Sequence, residues 1–242
     1  MIFEVCANSY LSAMNAQHGG ADRIELCSAL ALGGITPSYG VLNNVMKAIE
    51  IPVRVLIRPR SGNFVYTASE FETMKTDIRM AKSLGCEGIV SGVLHEDYQF
   101  DASRTAELIE VAQPMSFTFH RAFDWVKNPL EVLQQLMALG VDTVLTSGGA
   151  VNAERGLATI NALVAQGQDQ ITILPGGGIN AQNVHLFIKA GCKAIHASAS
   201  SQQCTGDPAP FAMNAVGQDD RCQLVTQIEK VKALKEAIIN CL

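Results

Sequence analysis

Gly20-Ala21-Asp22-Arg23-Ile24, Gly85-Cys86-Glu87-Gly88-Ile89, Gly140-Val141-Asp142-Thr143-Val144 and Gly191-Cys192-Lys193-Ala194-Ile195 repeat one pattern along the chain. Each runs glycine, a small or apolar residue, a charged residue, any residue, then a β-branched aliphatic. Each follows an amphipathic helical stretch, so the glycine stands where a helix needs a left-handed terminal residue and the aliphatic opens a strand. The intervals between positions 20, 85, 140 and 191 are 65, 55 and 51 residues, too long for one β-α unit and right for two. Four further apolar runs fall between the repeats: Ile2–Cys6, Val53–Arg58, Ser116–His120 and Ile171–Pro175.

Eight strands alternating with helices, with no linker or low-complexity break, predict one α/β domain over residues 1–242, a (β/α)8 TIM barrel. A doubly wound open sheet is the alternative, but it does not require four similar quarters and usually has fewer strands. Ser69-Glu70-Phe71-Glu72 reads as a capping box and Asn128-Pro129 as an N-cap with proline behind it. Asp101 and Asn180 are further N-cap candidates. Residues 199–218 read as a long loop of the kind used for lids or oligomer contacts. Residues 219–240 read as the last helix, with Leu224, Ile228, Val231, Leu234 and Ile238 at helical spacing.

The composition fits that architecture. Of the 242 residues 48% are hydrophobic and only 17% charged, as expected where strands are buried on both faces. A net charge of −5 argues against a nucleic-acid or anionic-membrane footprint. No apolar run approaches the ~18 residues of a membrane helix. The start of the chain is acidic at once and unlike a signal peptide, so the expected location is the cytoplasm. Seven cysteines, an odd number without a C-x-x-C pair, are then expected as free thiols.

In a barrel the chemistry gathers at the C-terminal ends of the strands. Alternation turns Glu4 and Cys6 inward on strand one, Glu25 and Cys27 on strand two, and Arg54 and Arg58 on strand three. It does the same for Ser116, Thr118 and His120 on strand five and for Ala194, His196 and Ser198 on strand eight. Buried polar groups must be paired. One reading makes Glu4 and Glu25 the structural counter-ions of Arg54 and Arg58; the other makes the set a small-ligand pocket.

Pro175-Gly176-Gly177-Gly178-Ile179 after strand seven suits a backbone cradle for an anion, with Ser147-Gly148-Gly149 and Ser198 beside it, or else a tight turn. Cys6 and Cys27, at matching heights on neighbouring strands, suit a soft ion such as Cu(I), or else serve as small core residues. His120 is a candidate acid or base, Arg121 an anion contact and Asp124 a loop brace. His18, His95 and His185 are expected to face solvent.

Several of these stretches together resemble the CutC copper homeostasis family. They are Glu4-Val5-Cys6-Ala7-Asn8-Ser9, Gly20 to Cys27, Gly33-Gly34-Ile35-Thr36-Pro37-Ser38 and Ile57-Arg58-Pro59-Arg60. Phe119 to Asp124, Leu145 to Gly149, Pro175 to Ile179 and His196-Ala197-Ser198 extend the likeness to about residue 200. The resemblance implies a cytosolic, homo-oligomeric TIM barrel, a dimer rather than a tetramer, that binds Cu(I) through Cys6 and Cys27. This chain departs from many relatives at Ser61-Gly62-Asn63, where they carry Gly-Gly-Asp, and at Ser200, where they carry arginine.

Two functions therefore stand side by side. The first is a copper homeostasis protein with Cu(I) on the thiol pair. The second is an enzyme acting on a small, phosphorylated anion. There Glu4, Glu25, Arg58 and His120 would be catalytic, and Arg121, Ser147, Gly176, Gly177, Gly178, His196 and Ser198 would bind ligand.

Overall fold

A computed structural model describes residues 1–207, 210, 211, 213 and 219–242. Its barrel strands are β1 (Ile2–Ala7), β2 (Arg23–Leu26), β3 (Val53–Leu56), β4 (Gly88–Ser91), β5 (Ser116–Phe119), β6 (Thr143–Thr146), β7 (Thr172–Pro175) and β8 (Ala194–Ala197). Helices α1 (Tyr10–His18), α2 (Tyr39–Ala48), α3 (Ala68–Ser83), α4 (Ala102–Ala112), α5 (Pro129–Ala138), α6 (Leu157–Gly167) and α7 (Val184–Lys189) alternate with them. All eight strands are parallel in the order β7-β6-β5-β4-β3-β2-β1-β8, and β7 lies beside β8, which brings the sheet round into a nearly closed barrel. The (β/α)8 expectation holds, and the open doubly wound sheet is excluded.

Strand alternation divides the side chains as expected. Phe3, Val5, Ile24, Val55, Ile89, Phe117, Val144, Ile173 and Ile195 point outward into the layer shared with the helices, which holds the main hydrophobic core. The opposite face fills the interior. Arg54 crosses it, donating to Glu87 at 2.8 Å, to Thr118 Oγ1 at 2.6 Å and to Thr143 Oγ1 at 3.2 Å. Gly88 makes room for it: a Cβ there would lie 3.1 Å from Arg54 Cγ and 2.8 Å from the Ser116 carbonyl. Two small apolar clusters complete the filling, Cys6–Cys27–Leu56–Val90 and Leu145–Leu174–Ala194.

Several local expectations are corrected. The capping box of α3 uses Thr67 and Glu70 rather than Ser69 and Glu72, because Thr67 is the last extended residue before the helix. Asp101 caps α4 and Asn128 precedes Pro129 at α5, as read from the sequence. Asn180 does not cap α7. Its Oδ1 accepts from the Gln182 amide in a preceding turn, and Asn183 is the residue before the helix.

The segment after β8 differs most. β9 (Ser200–Cys204) and β10 (Cys222–Thr226) pair antiparallel, so the loop expected at 199–218 begins as a strand. Positions 208, 209, 212 and 214–218 of that expected loop lie outside the described residues. The last helix, α8, spans Ile228–Ile239 rather than 219–240. Leu224 satisfies the helical spacing but belongs to β10, where main-chain pairing to Gln202 competes successfully with the helix. Cys204 and Cys222 form a disulfide at this hairpin, correcting the expectation of seven free thiols; five remain free. Among the described residues no helix is long and apolar enough to cross a membrane.

Candidate functional site

A cavity of about 310 Å³ opens at the C-terminal ends of the strands. Nine of the residues singled out in the sequence line it: Cys6, Glu25, Arg58, His120, Arg121, Gly177, Gly178, His196 and Ser198. Strands β1, β2 and β8 deliver Cys6, Glu25 and His196, and the segments after β3, β5, β7 and β8 supply the rest. Leu30, Leu56, Phe64, Leu145 and Ile179 give it apolar walls.

Glu4, Cys27, Ser147 and Gly176 stand behind this lining. Glu4, one rung below, accepts from Arg23 Nε at 2.5 Å and lies 2.8 Å from His196 Nδ1. Cys27 is fully buried, with its Sγ 3.7 Å from Cys6 Sγ. The two are not at matching heights, since the register partner of Cys6 is Glu25; the side chains lean together across one rung. Ser147 Oγ accepts from Arg121 Nη2 at 2.7 Å. Gly176 packs where a Cβ would meet Leu145 Cδ1 at 2.6 Å and His196 Cδ2 at 3.1 Å.

The charges inside the barrel pair differently from the sequence reading. Glu4 is neutralised by Arg23, and Arg54 by Glu87. Glu25 faces His196 Nε2 at 3.4 Å. Arg58, only 6% exposed, has no carboxylate partner among the described residues; it donates to the carbonyls of Leu32, Gly34 and Gly62. Arg23 was the residue that sequence reasoning missed. The signal was there, because Arg23 lies two positions before Glu25 and so shares its inward face.

These surroundings set protonation. Burial works against the Glu4 charge, but the His196 hydrogen bond and the Arg23 guanidinium hold its carboxyl down to about 2. Burial pushes Glu25 up to about 7, with the Glu4 charge adding to the effect and His196 opposing it. His196 is disfavoured as a cation by burial yet raised overall by Glu25 and Glu4. The hydrogen bond with Cys27, then burial, raises the Cys6 thiol well above its ordinary range. Burial first, and the Arg58 charge second, lower His120 to about 3.

Two arrangements result. On one side Cys6 Sγ, a Glu25 carboxylate oxygen and a His196 ring nitrogen lie within 4.8 Å of one another, a group able to hold a metal ion. On the other side stand Arg58, His120, Arg121 and the glycine loop. Asp124 braces that side, as read from the sequence: its carboxylate accepts from Arg121 Nε, Thr146 Oγ1, Ser147 N and Gly149 N. His18 and His95 are exposed and His185 is half-buried, so none belongs to the site.

Comparison with known proteins gives a consistent picture. The sequence model of the CutC family matches residues 1–201. The Homo sapiens copper homeostasis protein cutC homolog is 43% identical over 246 aligned positions, covering 100% of this chain and 90% of the human protein. A family protein CutC of Salmonella typhimurium is 48% identical over 198 positions, covering 82% and 79% of the two chains. The crystal structure of CutC from Streptococcus agalactiae superimposes with a TM-score of 0.78 at 32% identity, over 82% of this chain and 98% of that one.

Proposed function

This chain belongs to the CutC family, and from that premise we propose that it serves copper homeostasis by carrying one Cu(I) ion on Cys6 and Cys27. The observation that carries the reading is the 3.7 Å approach of the two sulfurs at the floor of the mouth. Soft thiolate ligands select Cu(I) over the harder divalent ions. The fit to the metal is chemical. The two sulfurs lie close enough for one cation to bridge them, and the charges of Glu25 and Glu4, which raise the Cys6 thiol further, would favour a cation there. Cu(I) bound by both thiolates would take the place of the two thiol protons and offset the penalty on the thiolates, so copper uptake should release protons. Glu25 and His196 stand close enough to Cys6 to complete or exchange the ligand set.

Anaerobic titration with Cu(I) against a competing chelator tests this directly. One equivalent per chain should bind tightly, and a Cys6→Ser/Cys27→Ser double variant should lose it while Cys86→Ser keeps it. Unchanged binding in the double variant overturns the proposal. The kinship with the family extends the proposal to a cytoplasmic homodimer. Native mass spectrometry of the protein from its own cells reads subunit number and bound metal together.

A second reading is favoured by a different observation: His120 lines the cavity with its Nε2 buried and without a hydrogen-bond partner among the described residues. In that reading the mouth belongs to an enzyme acting on a small anionic metabolite, with Glu4, Glu25, Arg58 and His120 in the catalytic machinery. Failure of every phosphorylated compound tried to raise the melting temperature would overturn it.

A further inference from the structure

Besides the Cys6 group, the mouth has three unmet demands. The first is His120. Its Nδ1 accepts a hydrogen bond from the Ala122 amide at 3.2 Å, so the ring proton sits on Nε2. That N–H is buried, belongs to a ring in the cavity lining and has no acceptor among the described residues. The low basicity of the buried ring keeps it neutral, so it is a fixed donor rather than a proton carrier.

The second is Arg58, a buried guanidinium that donates to three carbonyl oxygens and whose Nε has no partner among the described residues. Its partners are neutral carbonyls, so the charge itself has no counter-ion among the described residues, and an anion in the cavity would supply one. Arg58 and His120 flank the same ring. The guanidinium lies 5.0 Å from the centre of Phe64, and the His120 ring centre 4.8 Å from it.

The third lies across the cavity. Gly177 and Gly178 take φ of +103° and +81°, and their amides take part in none of the hydrogen bonds of the loop. A Cβ on Gly177 would lie 3.7 Å from Arg121 Nη1, the guanidinium nitrogen left over after Asp124 and Ser147 engage the other two. Glu25, also in the lining, is held on the Cys6 side by His196.

We propose that this half of the mouth binds a small organic phosphate bearing a carboxylate, with the phosphate at Arg121 and Gly177–Gly178 and the carboxylate at Arg58 and His120 Nε2. A cavity of about 310 Å³ suits a compact ligand of this kind, at the small end of the ~300–1,000 Å³ range of ligand pockets. The inference deepens the second reading above by naming its ligand class, and it is independent of copper.

Calorimetry on metal-stripped protein tests it with three probes: inorganic phosphate, glycerol 3-phosphate and phosphoglycolate. Phosphoglycolate should bind about tenfold more tightly than the other two, since it alone meets Arg58 and His120. His120→Asn keeps an acceptor for the Ala122 amide but shortens the donor. It should cost phosphoglycolate about tenfold and leave inorganic phosphate unchanged. Arg121→Gln should weaken all three. Should a variant not fold, ¹⁵N NMR of the wild-type imidazole reads Nε2 directly, and its resonance should move with phosphoglycolate. Equal affinity for the three probes, no binding at millimolar concentration, or an unmoved Nε2 signal overturns the proposal. Because binding is measured rather than turnover, a site that binds phosphoglycolate without converting any phosphorylated compound upholds the inference while the enzymatic reading fails alone.

Discussion

Arg23 Nε lies 2.5 Å from Glu4 Oε2 across the β1–β2 rung, with both side chains sealed inside the barrel. The pair lets His196 keep its place above, because Glu4 uses its other oxygen for His196 Nδ1. Removing one partner leaves a buried charge without compensation. Arg23→Met and Glu4→Gln should each lower unfolding free energy by about 3–5 kcal/mol, whereas the double variant should lose less than either single one. Urea denaturation of the three proteins is the measurement, and strictly additive losses would refute the coupling.

Stability should depend on pH through two buried groups of opposite sign. The folded-state value of Glu25, about 7, lies above its ordinary 4.5, so its contribution is complete below 4.5 and fades as pH rises through 7. The value of His120, about 3, lies below its ordinary 6.5, so its contribution is complete above 6.5 and fades as pH falls toward 3. Between pH 6.5 and 4.5 the two oppose each other in the native protein. Glu25→Gln should therefore lose stability as pH drops through this window, and His120→Asn should gain it. Parallel denaturation profiles for the two variants would show the assignment to be wrong.

The Cys204–Cys222 disulfide joins β9 to β10 across a sequence separation of 18. Loop-closure entropy for a span of this size is on the order of 3 kcal/mol. A Cys204→Ser/Cys222→Ser variant should raise amide exchange across residues 200–204 and 222–226 by local opening, with the barrel strands unchanged. Faster exchange throughout the barrel would instead mean that the hairpin is integral to the global unfolding unit.

Asp124 gathers Arg121, Thr146, Ser147 and Gly149 with one carboxylate. Asp124→Asn replaces charge-assisted bonds with neutral ones and offers a donor where two amides already donate. A loss of about 1.5–3 kcal/mol is expected, with greater mobility of Arg121 visible in its side-chain NMR signals. The Cu(I) affinity at Cys6 and Cys27 should not move, which separates the two halves of the mouth.

Much of the barrel was legible because its signals are local. A glycine after α1, α3, α5 and α7 and the aliphatic run of the strand that follows each depend only on near neighbours, and these four repeats made the eightfold alternation visible. The same period of two placed Cys6, Glu25, His120 and His196 on the inner face. The hairpin at 200–226 was not legible. Its pairing partners lie far apart in sequence, and Leu224 fits a helix as well as a strand until Gln202 is found opposite it.

The sequence by itself determined which residues enter the barrel, since alternation along a strand is a property of the backbone. It could not determine which of them pair. Alternation alone allows Glu4 and Glu25 to pair with Arg54 and Arg58, yet Glu4 meets Arg23, Arg54 meets Glu87, and Arg58 finds carbonyls and no carboxylate among the described residues. Register between strands and the reach of long side chains decide that, and both are set by closure of the whole sheet. Tertiary structure therefore decided that, among the described residues, one arginine is left without a carboxylate and one imidazole N–H without an acceptor at the mouth.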